Sequence, residues 1–290
     1  PLSCASIVAV AAQMKMAGYR SFPGYMSSAK EAHLAAGHRW DEDLERARKR
    51  SKASTQRGIG PARQSLEIPP LQVAALRLGC EPLHALGPVC PGHWATICAF
   101  HMLRGAESAC ALASSLKIDT NARQETLALS ATKTDPQGIG CHRTWGCVCS
   151  EGVQGPACRY HAAIALRSDL VRRFGDDKGN LPAGLPLFPT ESGEWCTRNG
   201  FVSTIASFAD MLAIQVIDDL GRNTIGEHTW RVSGSRMLAH AGVPVPTIAL
   251  MARWGSDIIF RYVADAPLAN ITEEFARGKC DSYIEAPPSP

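Results

Sequence analysis

At 290 residues and 31.1 kDa, with 45% hydrophobic and 20% charged side chains, the chain has enough apolar material for one large core or two smaller ones, which excludes disorder as its main state. The apolar stretch at 5–14 is broken by Gln13 and followed by Lys15, short of the roughly 20 residues of a membrane span and without the basic leader of a secretory signal. The net charge of +3 is too small to imply a polyanionic partner by itself, so its distribution has to carry that argument. Eleven cysteines, an odd number at irregular spacing, favour reduced thiols or a metal site over a disulfide framework, and hence the cytosol or nucleus.

Three short helices are predicted first, over 3–17, 25–36 and 41–51, separated by GYRSFPG and GHRW. A helical unit of this size is marginal alone, and with Pro1 as first residue a trimmed N-terminus lacking at least one helix is expected. Between Glu45 and Arg63 a basic run follows, carrying Arg46, Arg48, Lys49, Arg50, Lys52, Arg57 and Arg63 against the single acid Glu45. Its second half, SKASTQRGIGP, reads as an exposed linker, which places a domain boundary near 55–68.

Beyond the linker, helical patterns give way to period-two alternation between Leu116 and Val148, with Leu127, Leu129 and Ala131 on one parity. The KTDPQG turn then puts Lys133 at a hairpin tip. Two later helical stripes, Tyr160, Ile164, Val171 and Phe174, then Phe201, Ile205, Phe208 and Leu212, read as core. The expected class is mainly α with a small antiparallel sheet, an α+β fold.

The chemistry is concentrated in 226–268. His228 and Arg231 stand three apart on a helix ending at Gly242, so both project from one face and can grip one anion. Trp254 and Tyr262 are separated by a Gly-Ser break at which Ser256 can cap a short helix. Upstream, Arg104 lies at a bend before another helix, with Glu107 behind it. Two guanidiniums suit the nonbridging oxygens of a phosphate, and imidazole and indole N–H groups add donors. A tyrosine can attack phosphorus while a lysine on a hairpin protonates the departing oxygen. Taken singly, each of these residues is more often core or surface.

Their spacing resembles the tyrosine recombinase (phage integrase) family. The family's His-x-x-Arg matches 228–231, Trp254 follows Arg231 by 23 residues, and Tyr262 follows Trp254 by 8. The phrase ARWGSDIIFRYV is most similar to the "GRW-S-x-x-Y-x-x-Y" ending of integrases from eukaryotic crypton- and DIRS-type mobile elements. The family's first arginine, in "GLR-x-x-E", carries over to Arg104, although Met102-Leu103 replaces the usual Gly-Leu. Its hairpin lysine carries over to Lys133, and Trp254 stands where many members have His.

The resemblance implies a catalytic set of Arg104, Lys133, His228, Arg231, Trp254 and Tyr262. It implies a helical, SAM-like core-binding domain over 1–58, a basic linker over 59–67, a catalytic domain over 68–268 and a tail over 269–290. Double-stranded DNA becomes the expected partner, with Arg46, Arg48, Lys49, Arg50, Lys52 and Arg57 on its backbone and self-association on the DNA. The implied reaction is strand exchange through a 3′-phosphotyrosyl intermediate, needing no cofactor, in a nuclear protein. The alternatives are a decayed element relic that only binds DNA, a type IB topoisomerase-like strand passer, and a zinc-dependent nuclease.

A Cys/His group interrupts the family pattern. Cys141-His142 is followed by Cys147, Cys149, Cys158 and His161, and the last four, in a C-x-C-x8-C-x2-H spacing that is not a standard C-x2-C pair, offer a ligand set for a structural zinc beside the reading of buried reduced thiols.

Overall fold

The computed structural model describes residues 1–58, 65–129, 139–149, 155, 157–219, 221–254 and 259. The chain divides into two units, Pro1–Arg63 and Gln64–Pro290.

The first unit contains α1 (Cys4–Met16), α2 (Phe22–Ala35) and α3 (Glu42–Gln56). Each starts where capping chemistry allows. Ser3 and Ser6 form a reciprocal capping box on α1, Pro23 opens α2, and the Asp41 carboxylate accepts the Leu44 N–H at 2.8 Å. Ile7, Ala11, Phe22, Met26 and Leu44 form the core. His33 is buried beside them. Its Nδ1 accepts the Leu2 N–H at 3.0 Å, so Nε2 donates to the Arg39 carbonyl at 2.9 Å.

Helix α3 runs five residues past the expected end at Ser51. The SKASTQ segment, expected as linker, is helical because Ser51 and Thr55 lie one turn apart on the buried face with Leu44. Packing against α1 outweighs the weak helix propensity of Ser and Thr there.

The second unit is larger. It contains α4 (Pro70–Ala75), α5 (Pro91–Phe100), α6 (Gly105–Cys110), one 3-10 turn (Ala113–Ser115), β1 (Leu116–Asp119), β2 (Gln124–Leu129), β3 (Cys141–Gly146), α7 (Arg159–Phe174), α8 (Arg198–Met211), α9 (Thr229–His240) and α10 (Val245–Met251). The three strands form one antiparallel sheet in the order β1, β2, β3. Leu127 pairs with Leu116 on one side and Arg143 on the other, and Leu129 pairs with Cys141. Glu125, Leu127 and Leu129 point inward, as period-two alternation requires. The register makes 130–140 the β2–β3 connection; Lys133 within it lies outside the described residues.

Helix α7 packs on this sheet and on α5, but its core face differs from the expected stripe. Tyr160, Ala162, Ala163, Leu166 and Leu170 are buried, whereas Ile164, Val171 and Phe174 are half-buried. Two alanines at the interface let the helix approach closely, and the larger residues border it. In the second stripe Phe201, Ile205 and Phe208 are buried as expected, and Leu212, just past the helix end, is half-buried against the same core. Trp94 anchors this core, stacked on Phe201 at 5.1 Å and edge-on to Trp230 at 5.6 Å.

Helix α9 is buried over Thr229–Ser235 despite its polar sequence. The Ser233 and Ser235 hydroxyls donate back to the Thr229 and Arg231 carbonyls one turn earlier, which satisfies them without water. A Cβ on Gly234 would collide with the Ala99 carbonyl, so glycine there sets how near α9 approaches α5.

Candidate functional site

Two helix ends build the site. Helix α5 stops at Met102, which adopts the left-handed conformation at φ 48°, with Met102 N–H donating to the Ala99 carbonyl and Leu103 N–H to Cys98. Helix α10 stops in the same way at Arg253, φ 58°, through Arg253 N–H to Leu250 and Trp254 N–H to Ala249. Both are Schellman-type ends, a place where glycine is usual. The corresponding end of α9 does use glycine, Gly242 at φ 81°.

These turns bring four charged side chains together. The Glu107 carboxylate is 2.5 Å from the Arg104 guanidinium, 2.6 Å from that of Arg253 and 3.9 Å from that of Arg231. Glu107 also accepts the Arg104 backbone N–H at 2.9 Å, closing the first turn of α6. Burial works against its ionisation, but Arg253, the Arg104 N–H and the Arg104 guanidinium together hold its pKa below the ordinary carboxylate value. Among the described residues three guanidiniums face this one carboxylate, a set suited to an anion.

Arg231 is 1% exposed. Its Nη1 donates to the Met102 carbonyl at 2.8 Å and its Nη2 to that of Ala252. Trp254 lies under it, 4.6 Å from guanidinium carbon to ring centre. His228 is exposed at the N-cap of α9, one residue before the helix proper. Arg104 is half-buried and borders a cleft of about 460 Å³. Leu129 and Ile139, on either side of 130–138, line the same cleft.

Of the six residues expected to be catalytic, the structure therefore joins Arg104, Arg231 and Trp254 around Glu107 and puts His228 at the start of the helix bearing Arg231. Lys133 and Tyr262 lie outside the described residues. Ile259, three positions before Tyr262, is buried with Met102, Leu238, Ala239, Ile248 and Ala252. Sequence reasoning missed Arg253, since its neighbour Trp254 took the spacing argument and no periodicity marks a residue whose role depends on a left-handed turn.

The residues expected on DNA all lie on α3 or at its end. Arg48 is paired with Glu45 at 2.6 Å and Arg46 with Asp43 at 3.0 Å. The Arg48 guanidinium holds the Glu45 carboxyl well below its usual range. Lys49, Arg50, Lys52 and Arg57 are exposed and have no carboxylate partner among the described residues.

The Cys/His group also assembles. Cys147, Cys149, Cys158 and His161 present ligand atoms all within 4.8 Å of one another. Cys141 and His142 belong to β3 instead. A second grouping, Cys80, Cys90 and Asp169, has its carboxylate bound by Arg172, Arg173 and the Cys90 thiol.

No protein-family model matches the sequence, and no curated protein matches it. Solved structures do match. A lambda integrase dimer bound to a COC′ core site superposes with a TM-score of 0.56 at 10% identity, covering 90% of this chain and 80% of that one. The Tn1549 transposon integrase in complex with transposon right end DNA gives 0.56 at 13% identity, over 95% and 85%. The XerH site-specific recombinase in a post-cleavage complex with palindromic difH substrate gives 0.51 at 11% identity over 77% of this chain, which spans only 55% of the XerH chain. The α+β fold is that of the tyrosine recombinase catalytic domain. At these identities the likeness is one of fold.

Proposed function

We propose that the chain is a DNA strand transferase of the tyrosine recombinase type, a site-specific recombinase or integrase. The observation that carries this reading is the convergence of Arg104, Arg231 and Arg253 on Glu107 with Trp254 under Arg231, within a fold shared with three such enzymes. A phosphodiester is the anion that fits. Arg104 and Arg231 bind its nonbridging oxygens, with His228 and the Trp254 N–H as further donors, and Arg253 positions Glu107 between them. Two of the five Arg231 N–H groups hold the Met102 and Ala252 carbonyls, which fixes the orientation of the planar fork.

Tyr262 is the nucleophile. Its hydroxyl proton passes to solvent as its oxygen bonds to phosphorus, the bond to the 5′ oxygen breaks, and Lys133 supplies the proton that leaves a 5′-hydroxyl. A hydroxyl from a second strand reverses the step, and because the phosphotyrosyl bond conserves the phosphodiester's energy, neither ATP nor a catalytic metal is called for. What supports Tyr262 is its spacing from Trp254 and the burial of Ile259 beside the two carbonyl-bearing segments that hold Arg231. What supports Lys133 is that Arg104 and both flanks of its connection line one cleft. The exposed face of α3 meets the DNA backbone, copies of the chain assemble on the duplex, and the source is a crypton- or DIRS-type mobile element acting in a nucleus, on the strength of the ARWGSDIIFRYV ending.

The test is covalent capture on a pool of nicked duplexes randomised across the cleavage region. The expected product is a protein–DNA adduct mapping to Tyr262 and absent from Tyr262→Phe. An adduct that persists in that variant, or maps to Tyr283, overturns the assignment. Duplex binding with no adduct from the unsubstituted chain favours the decayed relic, and adducts that only reseal the same strand favour the topoisomerase.

A further inference from the structure

We propose that Cys147, Cys149, Cys158 and His161 bind one structural zinc ion that clamps the end of β3 to the start of α7. The proposal is independent of the reaction assigned above. With Zn–S near 2.3 Å and Zn–N near 2.0–2.1 Å, a tetrahedral site has S···S edges of about 3.8 Å and S···N edges of about 3.5–3.6 Å. Here the Cys147 and Cys158 sulfurs are 3.8 Å apart, and His161 Nδ1 is 3.4 Å from the Cys149 sulfur and 3.9 Å from that of Cys147. These edges leave room for an ion at the centre and are far too long for a disulfide of about 2.05 Å.

The surroundings treat the sulfurs as acceptors. Arg123 Nη2 donates to the Cys147 sulfur at 3.2 Å and Gly155 N–H to that of Cys149 at 3.1 Å. Such donors orient and stabilise metal-bound thiolates.

A second observation is electrostatic. Arg159, next to Cys158, is 7% exposed and stacks on Trp145 at 4.1 Å and Phe100 at 4.7 Å. Its Nε is buried without a hydrogen-bond partner, and among the described residues no carboxylate lies within ion-pair distance of it. The buried Glu125 carboxylate attracts it from beyond ion-pair distance and is itself bonded to His101, so this buried guanidinium has no direct anionic partner, a costly arrangement. Three thiolates, a neutral imidazole and Zn²⁺ carry a net charge of −1, which places a second anionic group beside Arg159. Four protein ligands leave no open position, so the ion is structural and not catalytic, and the soft donor set selects zinc over magnesium or calcium. The Cys80, Cys90 and Asp169 grouping lacks this character, because its carboxylate is already neutralised by two arginines.

The experiment measures metal in the full chain, purified under a phosphine reductant without chelator, by mass spectrometry of the element. About one zinc per chain is expected, falling to background in Cys149→Ser/Cys158→Ser and unchanged in Cys4→Ser and Cys110→Ser, whose thiols are exposed elsewhere. Cobalt exchanged into the site should show thiolate-to-metal charge transfer and tetrahedral d–d bands. His161→Cys, which keeps four ligands, should retain the metal with a shifted cobalt spectrum, separating ligand loss from misfolding. Chelation should lower the unfolding temperature of the unsubstituted chain. An unsubstituted chain without stoichiometric zinc, full zinc content in the double variant, or a cobalt spectrum free of thiolate bands would each overturn the proposal.

Discussion

At the scale of single residues the centre of the site is Glu107, a buried carboxylate bracketed by three guanidiniums. Removing one partner from a buried ionic group leaves the others uncompensated, so Glu107→Gln should destabilise the chain by about 3–5 kcal/mol. The effect has a definite pH window. The folded-state pKa of Glu107 is lowered, relative to an unfolded value of about 4.3, so the carboxylate contributes stability above that value and loses it as pH falls through the folded one. The urea midpoints of Glu107→Gln and the unsubstituted chain should therefore differ fully at neutral pH and converge on acidification below about pH 4. Arg231→Lys probes the same group kinetically. An ammonium is a point charge that cannot reproduce the planar fork bridging the Met102 and Ala252 carbonyls, and single-turnover cleavage should slow on the order of 10²-fold or more. An unchanged rate would remove Arg231 from the phosphate.

At the scale of elements, the approach of α9 to α5 and the ends of α5 and α10 decide whether these residues meet. Gly234 faces the Ala99 carbonyl with no space for a methyl group. Gly234→Ala must push the helices apart, lengthening the bond from Arg231 to Met102. A loss of about 1–3 kcal/mol in urea denaturation is expected from overpacking, with slower cleavage in parallel. Full stability and rate would mean that the two helices can slide without cost. Helices were legible wherever caps and periodicity agreed, as for α1, α2 and α8. Helix α9 kept its position in the expected plan, but its burial was not legible, because serines bonded to their own helix hide polarity that a sequence displays. The stripe chosen for α7 held only in part, with Tyr160 buried and Phe174 packed at the edge of the core, because close packing selected the small Ala162 and Ala163 over the larger Ile164.

At the scale of the whole molecule, charge is separated between a buried arginine centre in one unit and an exposed basic face in the other. Arg46 is paired with Asp43 and Arg48 with Glu45, so the proposed binding to the DNA backbone rests on Lys49, Arg50, Lys52 and Arg57. Replacing Lys49, Arg50 and Lys52 by Ala should weaken binding to any duplex and reduce the slope of log K against log[salt] by about 2–3, near 0.9 for each phosphate that is no longer neutralised. Fluorescence anisotropy across a salt series measures this. An unchanged slope would make α3 only a solvated helix face.

The sequence by itself determined the identities and spacings on which chemistry depends: His228, Arg231, Trp254 and Tyr262 at family intervals, Arg104 with Glu107 one turn on, and four thiol and imidazole ligands in 147–161. Those relations are local or set by motif, and local geometry follows from the chain alone. Tertiary structure decided that Arg253 joins Arg104 and Arg231, because an arginine at a helix end gains that role only through a left-handed turn and a carboxylate 146 residues away. It also decided that Arg159 is a buried cation beside Cys147, Cys149 and Cys158. Convergence of this kind depends on which helices pack together, and packing is a property of surfaces that meet only when the whole unit folds.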